Sequence, residues 1–105
     1  MSSVTNIILA TMIDDGAEVD ETHPNVDLLG KYLRDNHGGA KLIKVDHLVQ
    51  AGKAMECDVF IAAINNLNTD SFIELFRVIE WEFPECAQLF VKDENDDCFS
   101  VHTPR

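Results

Sequence analysis

The sequence is poor in basic residues: eight Lys and Arg face nineteen Asp and Glu, for a formal net charge of −11 over 105 residues. A field of that sign repels the phosphates of nucleic acids and of anionic lipids. We therefore expect no direct nucleic-acid binding and no membrane binding. The class of partner that this charge favours is a basic protein.

Sequence motifs of common enzymes are also missing. The chain contains no G-x-S-x-G, no G-x-G-x-x-G and no Walker A segment, and its histidines form neither H-x-x-x-H nor H-E-x-x-H. Each of these motifs places nucleophiles, backbone amides or metal ligands at a spacing that its chemistry requires. The sequence predicts no catalytic residue, no cofactor and no metal, and an enzyme is the less favoured interpretation.

Paired cysteines are lacking as well. Cys57, Cys86 and Cys98 form no C-x-x-C pair, and each follows one or two carboxylates. Carboxylates disfavour the thiolate that a cysteine nucleophile needs. No apolar run is long enough to span a bilayer, and no secretory signal is visible. We expect free thiols and a cytoplasmic location.

Two short segments, residues 7–13 and 59–64, are apolar at nearly every position. Because successive side chains of a strand point to opposite faces, a strand of this kind has to be covered on both sides. Both segments are therefore predicted to be interior strands. Residues 88–91 and 99–101 are predicted to be shorter strands on either side of a polar turn.

Helical spacing predicts two helices. The first spans residues 24–36, with Pro24 in its first turn and Gly38-Gly39 as its stop. The second begins after Asn68 or Thr69 and ends at Pro84. Its apolar stripe has the helical period, and the residues of that stripe are Phe72, Leu75, Phe76, Ile79 and Phe83.

Residues 41–64 allow two interpretations. Apolar and polar residues alternate through 41–50 and again from Met55, and Gly52 lies between them, which favours a hairpin with a glycine turn. The rival interpretation is a short helix over residues 47–56, although Gly52 would lie inside it.

With the hairpin, the element order is β-α-β-β-α-β plus a final strand, which is typical of a ferredoxin-like split βαβ α+β domain. We predict one such domain over residues 1–105, with the first and third strands at the centre. With the helix instead, the order favours a three-layer α/β fold with a parallel sheet.

A ferredoxin-like sheet carries its helices on one face only, and the other face is predicted to hold Met12, Phe60 and Ile64. Monomers rarely expose an apolar patch of that kind. The sequence therefore predicts a homodimer that covers this face with a second copy.

Three groups of residues are candidates for function. The acidic loop and Trp81 are predicted to bind a basic partner, and the loop residues are Asp14, Asp15, Glu18, Asp20 and Glu21. His23, His47 and Asp58 are candidates for a pocket. Asp93, Asn95 and Asp97 match part of a calcium loop, but they lack its Gly and its final Glu, so we interpret them as a polar hairpin tip.

The function favoured by charge, size and missing motifs is a non-catalytic protein-binding module: an inhibitor, an immunity-type protein or a regulatory protein with a basic partner. Two alternatives stay open. One is a regulatory dimer that binds a metabolite at its interface, and the other is a small dimeric α+β barrel enzyme that uses the pocket residues.

Overall fold

The structure, a computed structural model, describes residues 4–13, 24–38, 40–49, 52 and 55–104. Its strands are β1 (Val4–Thr11), β2 (Ile43–Lys44), β3 (Asp58–Asn65), β4 (Gln88–Asp93) and β5 (Ser100–His102). Its α-helices are α1 (Pro24–Asn36) and α2 (Thr69–Val78). Two 3-10 helices span Asp46–Val49 and Pro84–Cys86.

The five strands form one sheet in the order β2-β3-β1-β4-β5, and every neighbouring pair is antiparallel. β1 lies at the centre and β3 beside it, so both strands with apolar runs are interior, as predicted. The edges are short, since β2 has two residues and β5 has three.

These findings correct the predicted fold class. The described residues form a small α+β domain with a five-stranded antiparallel sheet and two α-helices. The parallel sheet of the three-layer alternative is wrong. The predicted antiparallel pairing of β2 with the following strand is present, but the long first strand over residues 41–50 is wrong. Among the described residues of that range only Ile43–Lys44 is strand, and a 3-10 helix follows it.

Helix α1 has the bounds that its sequence predicts. Pro24 suits the first turn because its missing N–H has no helical partner there. Val26, Leu29 and Leu33 face the core, and Gly38 follows the helix with a φ of +62°. That left-handed conformation is one that glycine adopts without strain.

Helix α2 starts as predicted and ends early. Asn68 is the N-cap, and its side chain accepts a hydrogen bond from the backbone N–H of Ser71. The helix stops at Val78, and Ile79 is already extended, so Pro84 does not end it. Instead Pro84 begins the second 3-10 helix.

Both helices pack on one face of the sheet. Their buried side chains form a single core with alternate residues of β1, β3 and β4; this core includes Leu29, Leu33, Phe72, Phe76, Ile7, Leu9, Phe60, Ile64, Leu89 and Val91. The opposite face is here called the open face. Its strand residues are Val4, Asn6, Ile8, Ala10, Ile43, Val59, Ile61, Ala63, Asn65, Gln88, Phe90, Lys92 and Val101.

The predicted membership of the open face is wrong for two residues. Phe60 lies opposite Leu9 and Ile64 lies opposite Thr5, and both side chains are buried under the helices. Met12 follows β1 and is partly exposed. The pairing register decides which face of the sheet each strand residue occupies. The observed register places Ile61 on the open face, where Phe60 was predicted.

No helix in the described part of the chain is both long enough and apolar enough to cross a membrane.

Candidate functional site

A groove of about 670 Å³ lies where α2 ends and the chain turns towards β4. Its apolar lining comes from Val78, Ile79, Trp81, Pro84 and Pro104, and its charged lining comes from Arg77, Glu80 and Glu85. We call it the acidic groove. Both of its carboxylate side chains belong to exposed residues, so they keep their hydration. Of the apolar lining residues, Ile79, Trp81 and Pro104 are buried and form the floor, whereas Val78 and Pro84 are exposed.

Trp81 is part of the groove floor. Its indole Nε1 donates a hydrogen bond to the backbone oxygen of Phe76 at 2.9 Å, and its ring contacts the Phe76 ring at 5.5 Å between centroids. Only 6% of the residue is exposed. The predicted partner-binding residue is therefore held in the core and offers a partner only a small surface.

Further exposed carboxylates lie at the same end of the molecule. Glu82 is exposed between Trp81 and Pro84, and Asp27 is exposed in the first turn of α1. The start of α1 is adjacent because the side chain of Asn25 donates to the backbone oxygen of Glu80 at 3.3 Å. Exposed carboxylates therefore occur both in the groove lining and in the segments next to it, while Arg77 is the one basic residue among the described residues of the lining.

The predicted acidic loop and His23 lie outside the described residues. The loop follows Ile13, which comes two residues after the end of β1, and it precedes Pro24, the first residue of α1. Ala10 at the end of β1 pairs with Gln88 at the start of β4, which is the strand that follows the groove. The elements before and after the loop, β1 and α1, therefore each contact a segment that lines or follows the groove.

A second polar cluster lies where the first 3-10 helix meets β3. The Lys44 ammonium lies 2.9 Å from Asp46 Oδ2 and 3.4 Å from Asp58 Oδ1, and both carboxylates are buried. The hydrogen bond to Asp46 raises the pKa of Lys44 against burial, which would lower it, and Asp58 adds to the rise. Burial alone would raise the pKa of Asp46, but the Val59 N–H and Lys44 outweigh it and lower that pKa.

This cluster does not form the predicted pocket. Asp58 is paired with Lys44, and His47 is exposed on the 3-10 helix, where the sequence predicted a mid-strand position among apolar neighbours. Neither residue lines the acidic groove. The sequence analysis did not predict that Asp46 and Lys44 belong to this cluster, because the bond that joins the 3-10 helix to β3 is a tertiary contact. Thr11 Oγ1, opposite Asp58, is buried and has no hydrogen-bond partner among the described residues.

Asp93, the first residue of the D-x-N-x-D segment, makes structural hydrogen bonds at the end of β4. Asp93 Oδ1 accepts from the hydroxyls of Thr5 at 2.6 Å and Thr69 at 3.2 Å, and Asp96 accepts from the Asp93 N–H. These bonds tie β1, α2 and the β4–β5 turn together. Over the described ranges, no group of three or more His, Cys, Asp or Glu residues is placed to hold a metal ion.

The three cysteines are free. Burial raises the pKa of the Cys57 thiol, and the nearby carboxylates of Asp46 and Asp58 raise it further. A thiol in this setting stays protonated at neutral pH and is a poor nucleophile.

The sequence interpretation missed one contact between a hydroxyl and an imidazole. Ser100 Oγ and His102 Nε2 are 2.9 Å apart on β5, and Ser100 Oγ also donates to the backbone oxygen of Val91. A hydroxyl has one proton, so when Ser100 donates to Val91 the imidazole is the donor to Ser100, and the histidine tautomer sets which arrangement holds. Burial and the nearby Arg77 lower the pKa of His102. Alternation in a strand could have revealed this S-x-H pair, since residues two apart share a face.

Comparison of the chain with models of protein families, with curated proteins and with solved structures gave no match.

Proposed function

We propose that the protein is a non-catalytic protein-binding module, of the inhibitor, immunity-type or regulatory kind, that binds a basic partner at the acidic groove. The observation that carries the proposal is the lining of this groove. Apolar residues form its floor, and the exposed carboxylates of Glu80 and Glu85 lie at its sides.

Such a lining suits a segment that combines positive charge with an apolar side chain. A hydrated carboxylate at the rim attracts Lys or Arg without being buried, so it avoids the large desolvation cost of an interior ion pair. The apolar floor supplies the desolvated centre that usually contributes most of the binding free energy. The net charge of −11 adds a long-range attraction that speeds encounter with a basic partner.

The acidic loop belongs to the same proposal. Its five carboxylates, Asp14, Asp15, Glu18, Asp20 and Glu21, lie between β1 and α1, which each contact a segment that lines or follows the groove. We assign to them the electrostatic steering of the partner, and to the groove the contact that holds it.

Trp81 makes the proposal directly testable, because it is the only tryptophan of the chain. The probes are short peptides with a central Leu or Phe between Lys and Arg residues. Matched control peptides carry the same apolar residue between Glu residues. We expect the basic peptides to change the Trp81 fluorescence with saturation, and the acidic peptides to leave it unchanged.

Two double variants, each of which removes two negative charges, test where the peptide binds. Glu80→Gln with Glu85→Gln removes the carboxylates of the groove, while Glu94→Gln with Asp97→Asn removes two from the β4–β5 turn. We expect the first to weaken peptide binding far more than the second, and rising salt to weaken binding by the wild type. Equal effects of the two variants, or binding that is indifferent to salt, would contradict the assignment of the groove.

A cytoplasmic location and a homodimeric state belong to the same proposal. Free Cys57, Cys86 and Cys98 support the location, since thiols persist in reducing compartments. An apolar sheet face that neither α-helix covers supports the homodimer.

A further inference from the structure

The open face of the sheet is apolar and partly exposed. Ile43, Ile61 and Val101 are 45%, 42% and 54% exposed, although they come from three different strands. A shallow groove of about 470 Å³ crosses this face, lined by Ile8, Ile43, Ile61, Ala63, Phe99 and Lys41 among others. Contiguous apolar surface of this kind marks an interaction site in soluble proteins.

The charge of the open face differs from that of the rest of the molecule. None of its strand residues is Asp or Glu, although the chain has nineteen of them. Its only charged strand residue is Lys92. The described acidic residues lie instead on the helices, in the loops and in the buried cluster with Lys44, and Asp93 lies on the face of β4 that the helices cover. A basic partner would find no carboxylate among these strand residues, so this face is not where the proposed partner binds.

We infer that the open face is the interface of a homodimer in which two sheets pack face to face. An identical apolar face is its natural complement, since a second copy brings no carboxylate on its strand residues into the contact and buries the same exposed side chains twice. This inference specifies the homodimer of the proposed function by its surface, and it is independent of the acidic groove.

The dimensions of the sheet fit a dimer of modest stability. The five strands together hold 27 residues, and at a strand spacing of about 4.8 Å and a rise of about 3.3 Å per residue they form a face of roughly 430 Å². Two such faces bury roughly 860 Å² in total, which is smaller than a stable specific interface and fits a weak dimer. Packed sheets lie about 10 Å apart, a distance that Ile, Val and Phe side chains fill.

Edge-to-edge assembly is the less favourable alternative. The edge strand β2 offers two residues and β5 offers three, so either edge could form only a few intermolecular hydrogen bonds. Short edge strands of this kind are typical of proteins that avoid edge pairing.

Rising salt should strengthen the dimer, whereas it should weaken the binding of a basic partner. Two chains of net charge −11 repel each other at long range, and salt screens that repulsion. Sedimentation velocity of the full chain at micromolar to high micromolar concentration should therefore show a monomer–dimer equilibrium. The dimer should become several-fold tighter between about 50 mM and about 500 mM NaCl.

Substitutions on the open face test whether this face is the dimer interface. Ile61→Lys and Ile43→Lys should each weaken the dimer at least about tenfold, while Leu28→Lys on the outer surface of α1 should leave it intact. Leu28 is 51% exposed, so this control makes the same change of charge at an exposed aliphatic residue. The Trp81 fluorescence and the unfolding transition of each variant report whether its fold is retained.

Three outcomes would overturn the inference: a wild type that stays monomeric at both salt concentrations, folded Ile61→Lys and Ile43→Lys variants that dimerise like the wild type, or a monomer that binds phosphatidylcholine vesicles through this face. None of these would affect peptide binding at the acidic groove. Conversely, a dimer that salt strengthens would stand even if no basic peptide binds.

Discussion

Asp46 and Val59 are joined by a hydrogen bond in which the Val59 N–H donates to Asp46 Oδ1 at 2.9 Å. Asp46 belongs to the first 3-10 helix and Val59 to β3, so this bond holds the connection between β2 and β3 against the sheet. The second oxygen of the carboxylate accepts from the Lys44 ammonium at 2.9 Å. Asp46 therefore acts as a structural acceptor that a hydrophobic residue could not replace.

Replacing Asp46 tests this role. Asp46→Ala leaves the Val59 N–H without its acceptor and should lower the free energy of unfolding by about 1–3 kcal/mol. Asp46→Asn keeps an oxygen for Val59 and loses the charge pair with the half-exposed Lys44, so it should cost about 0–1 kcal/mol. Urea unfolding followed by Trp81 fluorescence measures both values. Equal stability of the Ala and Asn variants would show that the hydrogen bond contributes nothing.

The same cluster predicts how stability depends on pH. The pKa of Asp46 is held below its ordinary value of 3.8, so its contribution to stability is complete above that pH and is lost as the pH falls through the lower folded-state pKa. The pKa of Lys44 is raised above 10.5, so its contribution is lost only as the pH rises beyond that value. Unfolding measured from pH 7 to pH 2 should therefore show a steeper loss below pH 3.8 for the wild type than for Asp46→Asn. Parallel curves for the two proteins would contradict this assignment.

Two glycines form a matched pair for a test of backbone conformation. Gly52 has a φ of +86° and Gly30 lies inside α1, and a Cβ added at either would meet no atom within 4 Å. Gly52→Ala should destabilise the fold by about 1–2 kcal/mol because an L-residue is strained at that φ. Gly52→Val should cost at least as much. Gly30→Ala should stabilise it by about 0.5–1 kcal/mol because alanine favours the helix. Thermal unfolding followed by circular dichroism measures the stability of each variant. Changes of the same sign for Gly52→Ala and Gly30→Ala would contradict the argument.

The sequence predicted what depends on local periodicity and local chemistry. Helix α1 has the predicted bounds because Pro24, the apolar spacing and Gly38 all act within the helix or next to it. The cap at Asn68 was predicted for the same reason, and the predicted glycine turn agrees with the positive φ of Gly52. The interior position of β1 and β3 followed from composition alone, since both sets of alternating residues are apolar.

That same composition is why the faces could not be assigned. When both sets are apolar, a shift of one residue exchanges the two faces of a strand without changing the sequence pattern. The pairing of Leu9 with Phe60 is a tertiary choice, and it placed Phe60 in the core and Ile61 on the open face. Every prediction about the interface depended on that register.

Tertiary contacts also decided two element ends. Helix α2 stops at Val78, and the Trp81 indole then turns back to the Phe76 oxygen, although the apolar stripe continues to Phe83. The first strand of the predicted hairpin ends at Lys44, and the 3-10 helix that follows is held by the bond between Asp46 and Val59, thirteen residues away. The sequence by itself determined the helix starts, the interior strands and the acidic charge. Register, the ends of elements and the acidic groove were decided by contacts between distant residues, whose energies no local pattern contains.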